Sequence, residues 1–226
     1  MMRRFCGNFF SLGIRKDSYK LNTMSYDNFA LTFSNSRKNL HWPELEYIIK
    51  DLQKFGYRTV LDIGCGNGRF LGEIEKLWYT FDRYLGIDSS WWMIFEAQKL
   101  HPNREFAAIP MQDIDTISWW FDALIFLASF HHLESRKERI QVLKNAKKLL
   151  NPNGRIYMTN WNLQDQVKYE KSHRWEGEFD IKIGEFSRYY HGFNVEELAG
   201  LFEETGFRII ENRIFETGKN LICILE

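Results

Sequence analysis

The feature that most constrains this chain is the run Val60-Leu61-Asp62-Ile63-Gly64-Cys65-Gly66-Asn67-Gly68-Arg69-Phe70. Thr59 to Ile63 is a short apolar stretch of strand length that ends in glycines, and Arg69 to Trp78 reads as the helix that follows. Glycine is needed in such a turn because any Cβ would block a ligand lying against the backbone.

The same rhythm continues on both sides. Leu45, Ile48, Ile49, Leu52 and Phe55 recur at helical spacing after Pro43, a residue suited to a first helical turn, and Gly56 closes the run. Tyr84 to Ile87, Glu105 to Ala108, Ala123 to Leu127 and Arg155 to Thr159 are further short apolar runs, separated by segments such as the helical Arg136 to Leu150. Alternating strand and helix predicts a parallel sheet with crossover helices. Near the end the pattern changes. Asn194 can cap a helix from Val195 to Thr205, Gly206 stops it, and Phe207 to Ile214 and Leu221 to Leu225 follow as consecutive strands around Thr217-Gly218-Lys219-Asn220. The expected fold is α/β and Rossmann-like, with a terminal hairpin on an otherwise parallel sheet.

With 226 residues, 44% hydrophobic and 27% charged, the chain has the composition of one ordinary globular domain. No run approaches the roughly 20 apolar residues of a membrane helix. The start, Met1-Met2-Arg3-Arg4 and then Phe5 to Ile14, faintly imitates a signal peptide, but Gly7, Asn8, Ser11 and Gly13 interrupt it. Cys6, Cys65 and Cys223 are odd in number and far apart, which offers no disulfide framework and fits a reducing cytoplasm. The formal net charge is zero, yet residues 1–60 carry ten Lys+Arg against five Asp+Glu. That segment is the place to look for contact with a polyanion.

A dinucleotide fingerprint, G-x-G-x-x-G, fails here because its third glycine falls on Arg69 when counted from Gly64. Asp62 would also repel a pyrophosphate. A cationic amino-acid ligand would be welcome, and S-adenosylmethionine carries both a sulfonium and an ammonium. Asp88, at the end of Gly86-Ile87-Asp88-Ser89-Ser90, can accept both hydroxyls of a ribose or, alternatively, cap the next helix. Asp113, in Met111-Gln112-Asp113-Ile114, can accept from an adenine amino group or stand as a surface loop acid. His131 and His132 invite a metal, but adjacent side chains are expected to diverge and nothing nearby completes a ligand set, so no metal is assigned.

The glycine turn, Gly86-Ile87-Asp88-Ser89, Phe130-His131-His132-Leu133 and Leu150-Asn151-Pro152-Asn153-Gly154-Arg155 together resemble class I S-adenosylmethionine methyltransferases over residues 58–160. The resemblance implies a mostly parallel seven-stranded sheet. It also implies that Asp62, Gly64 and Gly66, with Cys65 between them, line the methionine end of the cofactor. Asp88 with Ser89 would then take the ribose, and Asp113 with Ile114 would flank the adenine.

Two outer segments narrow the match. Tyr26 to Arg37 with His41-Trp42-Pro43, and Arg188-Tyr189-Tyr190-His191-Gly192-Phe193 with the closing Lys219 to Leu225, are similar to tRNA wobble-uridine carboxymethyl methyltransferases. Where that family shows an aromatic just after the last Asn, this chain has Leu221. The implied acceptor is the carboxylate of 5-carboxymethyluridine, and the implied partners are tRNA and a small activator protein. Arg188 and Arg37 are candidates for a cationic fork around that carboxylate, and Tyr190 for a stacking contact or for packing. Residues 25–226 form the expected methyltransferase domain, and residues 1–24 a basic arm outside it. A small-molecule O- or C-methyltransferase and a non-catalytic cofactor-binding subunit are the competing expectations.

Overall fold

The computed structural model describes residues 42–175, 177–183 and 186–226. The expected N-terminal arm and Arg37 lie outside the described residues.

Helix α1 (Pro43–Phe55) has proline in its first turn and ends at Gly56, whose left-handed φ of 66° lets its N–H close the last turn. There follow β1 (Thr59–Ile63), α2 (Arg69–Lys76), β2 (Arg83–Asp88), α3 (Trp91–Leu100), β3 (Glu105–Ala108), β4 (Phe121–Leu127), α4 (Arg136–Lys148) and β5 (Leu150–Trp161). A short hairpin of β6 (Glu178–Ile183) and β7 (Phe186–His191) comes next, and α5 (Val195–Glu204), β8 (Ile209–Ile214) and β9 (Asn220–Leu225) complete the fold.

Seven strands form one sheet in the order β3-β2-β1-β4-β5-β9-β8. The pairs from β3 to β5 are all parallel; β9 runs antiparallel to both β5 and β8. The predicted α/β architecture and its terminal hairpin are therefore present. Helices cover both faces, which is why the strands read as apolar runs. Along β1, Leu61 and Ile63 face one core with Phe126, Met158 and Phe202. Val60 faces the other, with Ile48, Phe70 and Tyr157. Asp62 shares Val60's side of the pleat and is thus driven into a buried position, 1% exposed.

β6 and β7 form a separate two-stranded sheet, to which His173 adds a single antiparallel bridge at Phe179. Phe179 and Ile181 are buried in a small satellite cluster with Leu163 and Tyr190, against which Trp161 and Tyr169 pack. A two-stranded hairpin alone is marginal, so this cluster and polar contacts to the main body must hold it in place.

Candidate active site

Strand order reverses around β1, whose neighbours are β2 and β4. In open α/β sheets the crevice at such a switch point, beyond the carboxyl ends of the strands, is where ligands bind. A cavity of about 950 Å³ lies there. It extends from the glycine turn after β1, past the tips of β2 and β4, to β7.

The turn is pinned from two directions. Gly64 N–H and Cys65 N–H both donate to the Ile87 carbonyl, at 2.8 and 2.9 Å. Ser129, just past β4, donates its hydroxyl to the Ile63 carbonyl at 2.6 Å. A Cβ on Gly64 would come within 2.4 Å of the Ser129 Cβ, and Gly64 has a φ of 77°, so only glycine fits. Gly66 differs. With φ 56°, it has no atom within 4 Å of where a Cβ would be, and it lines the cavity. There the backbone is bare toward the space a ligand would occupy.

Two carboxyl groups organise this end. Asp62 Oδ2 accepts from the Tyr84 hydroxyl at 2.8 Å, whereas Oδ1 is buried with no hydrogen-bond partner. Burial raises its pKa from 3.8 to about 7, only partly opposed by the Tyr84 hydrogen bond. Asp88 accepts from Gly66 N–H at 3.0 Å and Ser90 N–H at 2.8 Å, tying the tip of β2 to the glycine turn. The cap of α3 is not Asp88 but Ser90, whose hydroxyl accepts from Met93 N–H. Burial raises the Asp88 pKa; the Ser90 and Gly66 amides and the charge of Arg188 oppose it.

The orphaned Asp62 oxygen and the bare backbone at Gly66 fit a cofactor that brings a cationic amino-acid group. Of the other expected residues, Cys65, Ser89 and Asp113 line the cavity. Ile114 does not: it is fully buried in the main core, so its side chain faces away. Arg188 lines the cavity from β7. Glu185, the acid three residues before it in the sequence, lies outside the described residues. Tyr190 borders the cavity but is 1% exposed and stacks on Trp161, with ring centroids 5.0 Å apart and planes at 17°. It is a wall residue.

His131 and His132 do not diverge as expected. They sit on a single 3₁₀ turn, Phe130–His132, with rings 4.6 Å apart edge-on, and both contact Tyr190. Among the described residues no group of three or more His, Cys, Asp or Glu is placed to hold a metal ion. Sequence reasoning also passed over Ser129 and Trp161. Both stand at carboxyl ends of sheet strands, which is the signal that would have found them.

A seven-stranded sheet of this order, with a glycine turn and an acidic strand tip at its switch point, defines the class I S-adenosylmethionine-dependent methyltransferase fold. The chain belongs to the methyltransferase domain family, whose model matches residues 28–212. The tRNA (carboxymethyluridine(34)-5-O)-methyltransferase ALKBH8 of Mus musculus is 30% identical over 149 residues, which is 65% of this chain and 21% of the mouse protein. A putative methyltransferase of Encephalitozoon cuniculi is 23% identical over 207 residues, covering 89% of this chain and 92% of the other. Among solved structures, an S-adenosylmethionine-dependent methyltransferase from Clostridium acetobutylicum matches with a TM-score of 0.68 at 13% identity, covering 89% of this chain and 98% of that one. The match spans about a fifth of the length of ALKBH8 from mouse, Macaca fascicularis and Xenopus tropicalis. Among the described residues no helix is long and apolar enough to cross a membrane.

Proposed function

We propose that residues 25–226 form a catalytic unit that methylates the carboxylate of 5-carboxymethyluridine at the wobble position of a tRNA, with S-adenosylmethionine as donor. The observation that carries this reading is Arg188. Arg188 lines the same cavity as the glycine turn, and its charge acts on Asp88. A planar fork of donors suits an incoming carboxylate better than a neutral acceptor. The mouse relative, a tRNA (carboxymethyluridine(34)-5-O)-methyltransferase, supports the choice of nucleoside.

When bound, the cofactor supplies an electrophilic methyl group on a sulfonium. In this reading Asp62 holds its ammonium, Asp88 with Ser89 its ribose, and Asp113 its adenine. A carboxylate acceptor is already ionised at neutral pH, so the protein need not remove a proton. Its task is alignment and exclusion of water. Arg188, joined by Arg37, orients the carboxylate, while Tyr190, Trp161 and His132 form a packed wall. His191 needs no catalytic part, and its Nε2 is engaged with the Glu197 carboxylate at 2.8 Å. The partners are tRNA and a small activator protein, and the location is the cytoplasm.

The test is to incubate the protein and labelled cofactor with tRNA from cells that lack the methyl ester, with and without a candidate activator, and then digest to nucleosides. Alkali-labile label in 5-carboxymethyluridine is the expected result. Turnover of a small acceptor with no labelled nucleoside would point to a small-molecule methyltransferase. Cofactor retention with no transfer to either would point to a binding subunit.

A further inference from the structure

The cavity is bounded by two bodies that the sheet does not join: the strand tips that carry the glycine turn, and the β6–β7 hairpin that carries Arg188. What aligns them is a buried guanidinium. Arg139 of α4 is 4% exposed. Its Nε donates to the Leu133 carbonyl at 3.1 Å, and its Nη2 to the carbonyls of Leu133 and Glu134 at 3.0 and 3.1 Å. Those two residues follow β4 and line the cavity. Nη2 also reaches the Tyr189 hydroxyl at 3.3 Å, and that hydroxyl donates to the Glu134 carbonyl at 3.2 Å. Nη1 lies 3.6 Å from Oε1 of the Glu197 carboxylate, both of whose oxygens also lie within 2.9 Å of His191 Nε2. The guanidinium stands over the Phe193 ring, 5.2 Å from its centroid.

Tyr189 is thereby held at both ends. Its hydroxyl belongs to the Arg139 cluster, and its backbone carbonyl lies 3.1 Å from His132 Nδ1. Arg188 and Tyr190 flank it in sequence, and all three line the cavity. A shift of β7 relative to the 133–134 loop would break the Tyr189 and His191 contacts together and move Arg188.

We propose that Arg139 is a positioning residue: through Tyr189 on one side and the Glu197–His191 pair on the other, it fixes the acceptor hairpin against the cofactor half of the site. This rests on reading β7 as the acceptor side. Arg139 touches no reacting group in this account, and its effect on transfer is exerted through Arg188.

Arg139→Lys retains the charge but cannot hold two carbonyls, a phenol and a carboxylate at once. Tyr189→Phe removes only the hydroxyl and leaves the ring. Amide hydrogen exchange by mass spectrometry, which needs no acceptor, reads the hairpin directly. In both variants residues 178–183 and 186–191 should exchange about tenfold faster or more, while β1, β4 and β5 keep their protection. Cofactor affinity by calorimetry should change by less than about twofold, because the glycine turn is untouched. The double variant should exchange no faster in the hairpin than Arg139→Lys alone, since both break one network. With the acceptor from the nucleoside assay, kcat should fall about tenfold or more while KM for cofactor holds. Unchanged hairpin exchange, or uniformly faster exchange over the whole sheet, would overturn the proposal. If Arg139→Lys does not fold, Tyr189→Phe decides alone. Loosened hairpin exchange with no methylated nucleoside in the wild type would instead fault the tRNA reading and leave the positioning role standing.

Discussion

Asp62 and Asp88 are carboxyl groups at the ends of adjacent parallel strands, and burial acts on both. They differ in what compensates. Asp88 has two amides and a nearby guanidinium, whereas Asp62 has one phenol and an oxygen with no partner. A carboxyl whose pKa is higher folded than unfolded binds more protons in the folded state. Its stabilising contribution is therefore full below the ordinary value near 3.8 and is lost as pH rises through about 7. The cofactor-free protein should lose stability between about pH 4 and 7, by at most about 1.4 kcal/mol per pH unit from this group. Asp62→Asn should flatten that slope; denaturant melts across the pH range measure it. Cofactor affinity should rise over the same interval, because a cationic ammonium needs the carboxylate. Calorimetry near pH 6 in buffers of different ionisation enthalpy should show proton release on binding, and Asp62→Asn should abolish it. Asp88→Ala should weaken cofactor binding by about 2 kcal/mol or more, roughly 30-fold, while circular dichroism shows a folded chain. Unchanged affinity would remove Asp88 from the site.

Among the elements, some were legible to the residue. Thr59–Ile63 and Glu105–Ala108 stand as read, and Asn194 caps α5 by accepting from Glu197 N–H at 2.7 Å. Asn194→Ala should cost about 1 kcal/mol of stability, measurable as a lower denaturant midpoint with no effect on cofactor affinity. Others were not legible. α3 carries apolar residues on every side: Met93, Ile94 and Ala97 are buried, while Trp91, Trp92 and Phe95 are exposed, so no stripe marks it. The β6–β7 hairpin did give a signal, since Phe179 and Ile181 alternate with Asp180 and Lys182. Its linking dipeptide, Gly184-Glu185, is not the Asn-Gly or Asp-Gly that marks a hairpin most strongly. β5 runs from Leu150 to Trp161, longer than its apolar centre, because β4 pairs with it at Leu150 and β9 at Trp161. At β7, Arg188→Ala should impair methyl transfer by about tenfold or more, and lysine should restore little of it for want of the planar fork. Full activity of Arg188→Lys in the nucleoside assay would sink the bidentate role.

At the scale of the whole molecule, zero formal charge gives no net attraction to nucleic acid but leaves room for a local patch. If tRNA is the acceptor, the logarithm of its affinity should fall linearly with the logarithm of salt concentration, with a slope set by the number of phosphates contacted. Filter binding over a salt series measures this, and a flat response would count against a polyanionic substrate. The α/β class, the glycine turn, the acidic strand tip and the closing hairpin are all legible along the chain. Each is a local signal: a period, a cap, or a residue type that the backbone angles demand. It takes the folded chain to show that Asp62 keeps one oxygen without a hydrogen-bond partner, that Ser90 and not Asp88 caps α3, and that Ile114 turns into the core. Folding alone brought Arg139, Glu197 and Tyr189 together from three separate elements. Such contacts join residues far apart in the chain, and no period or spacing encodes them; they exist only once the β6–β7 hairpin has packed beside the loop that follows β4.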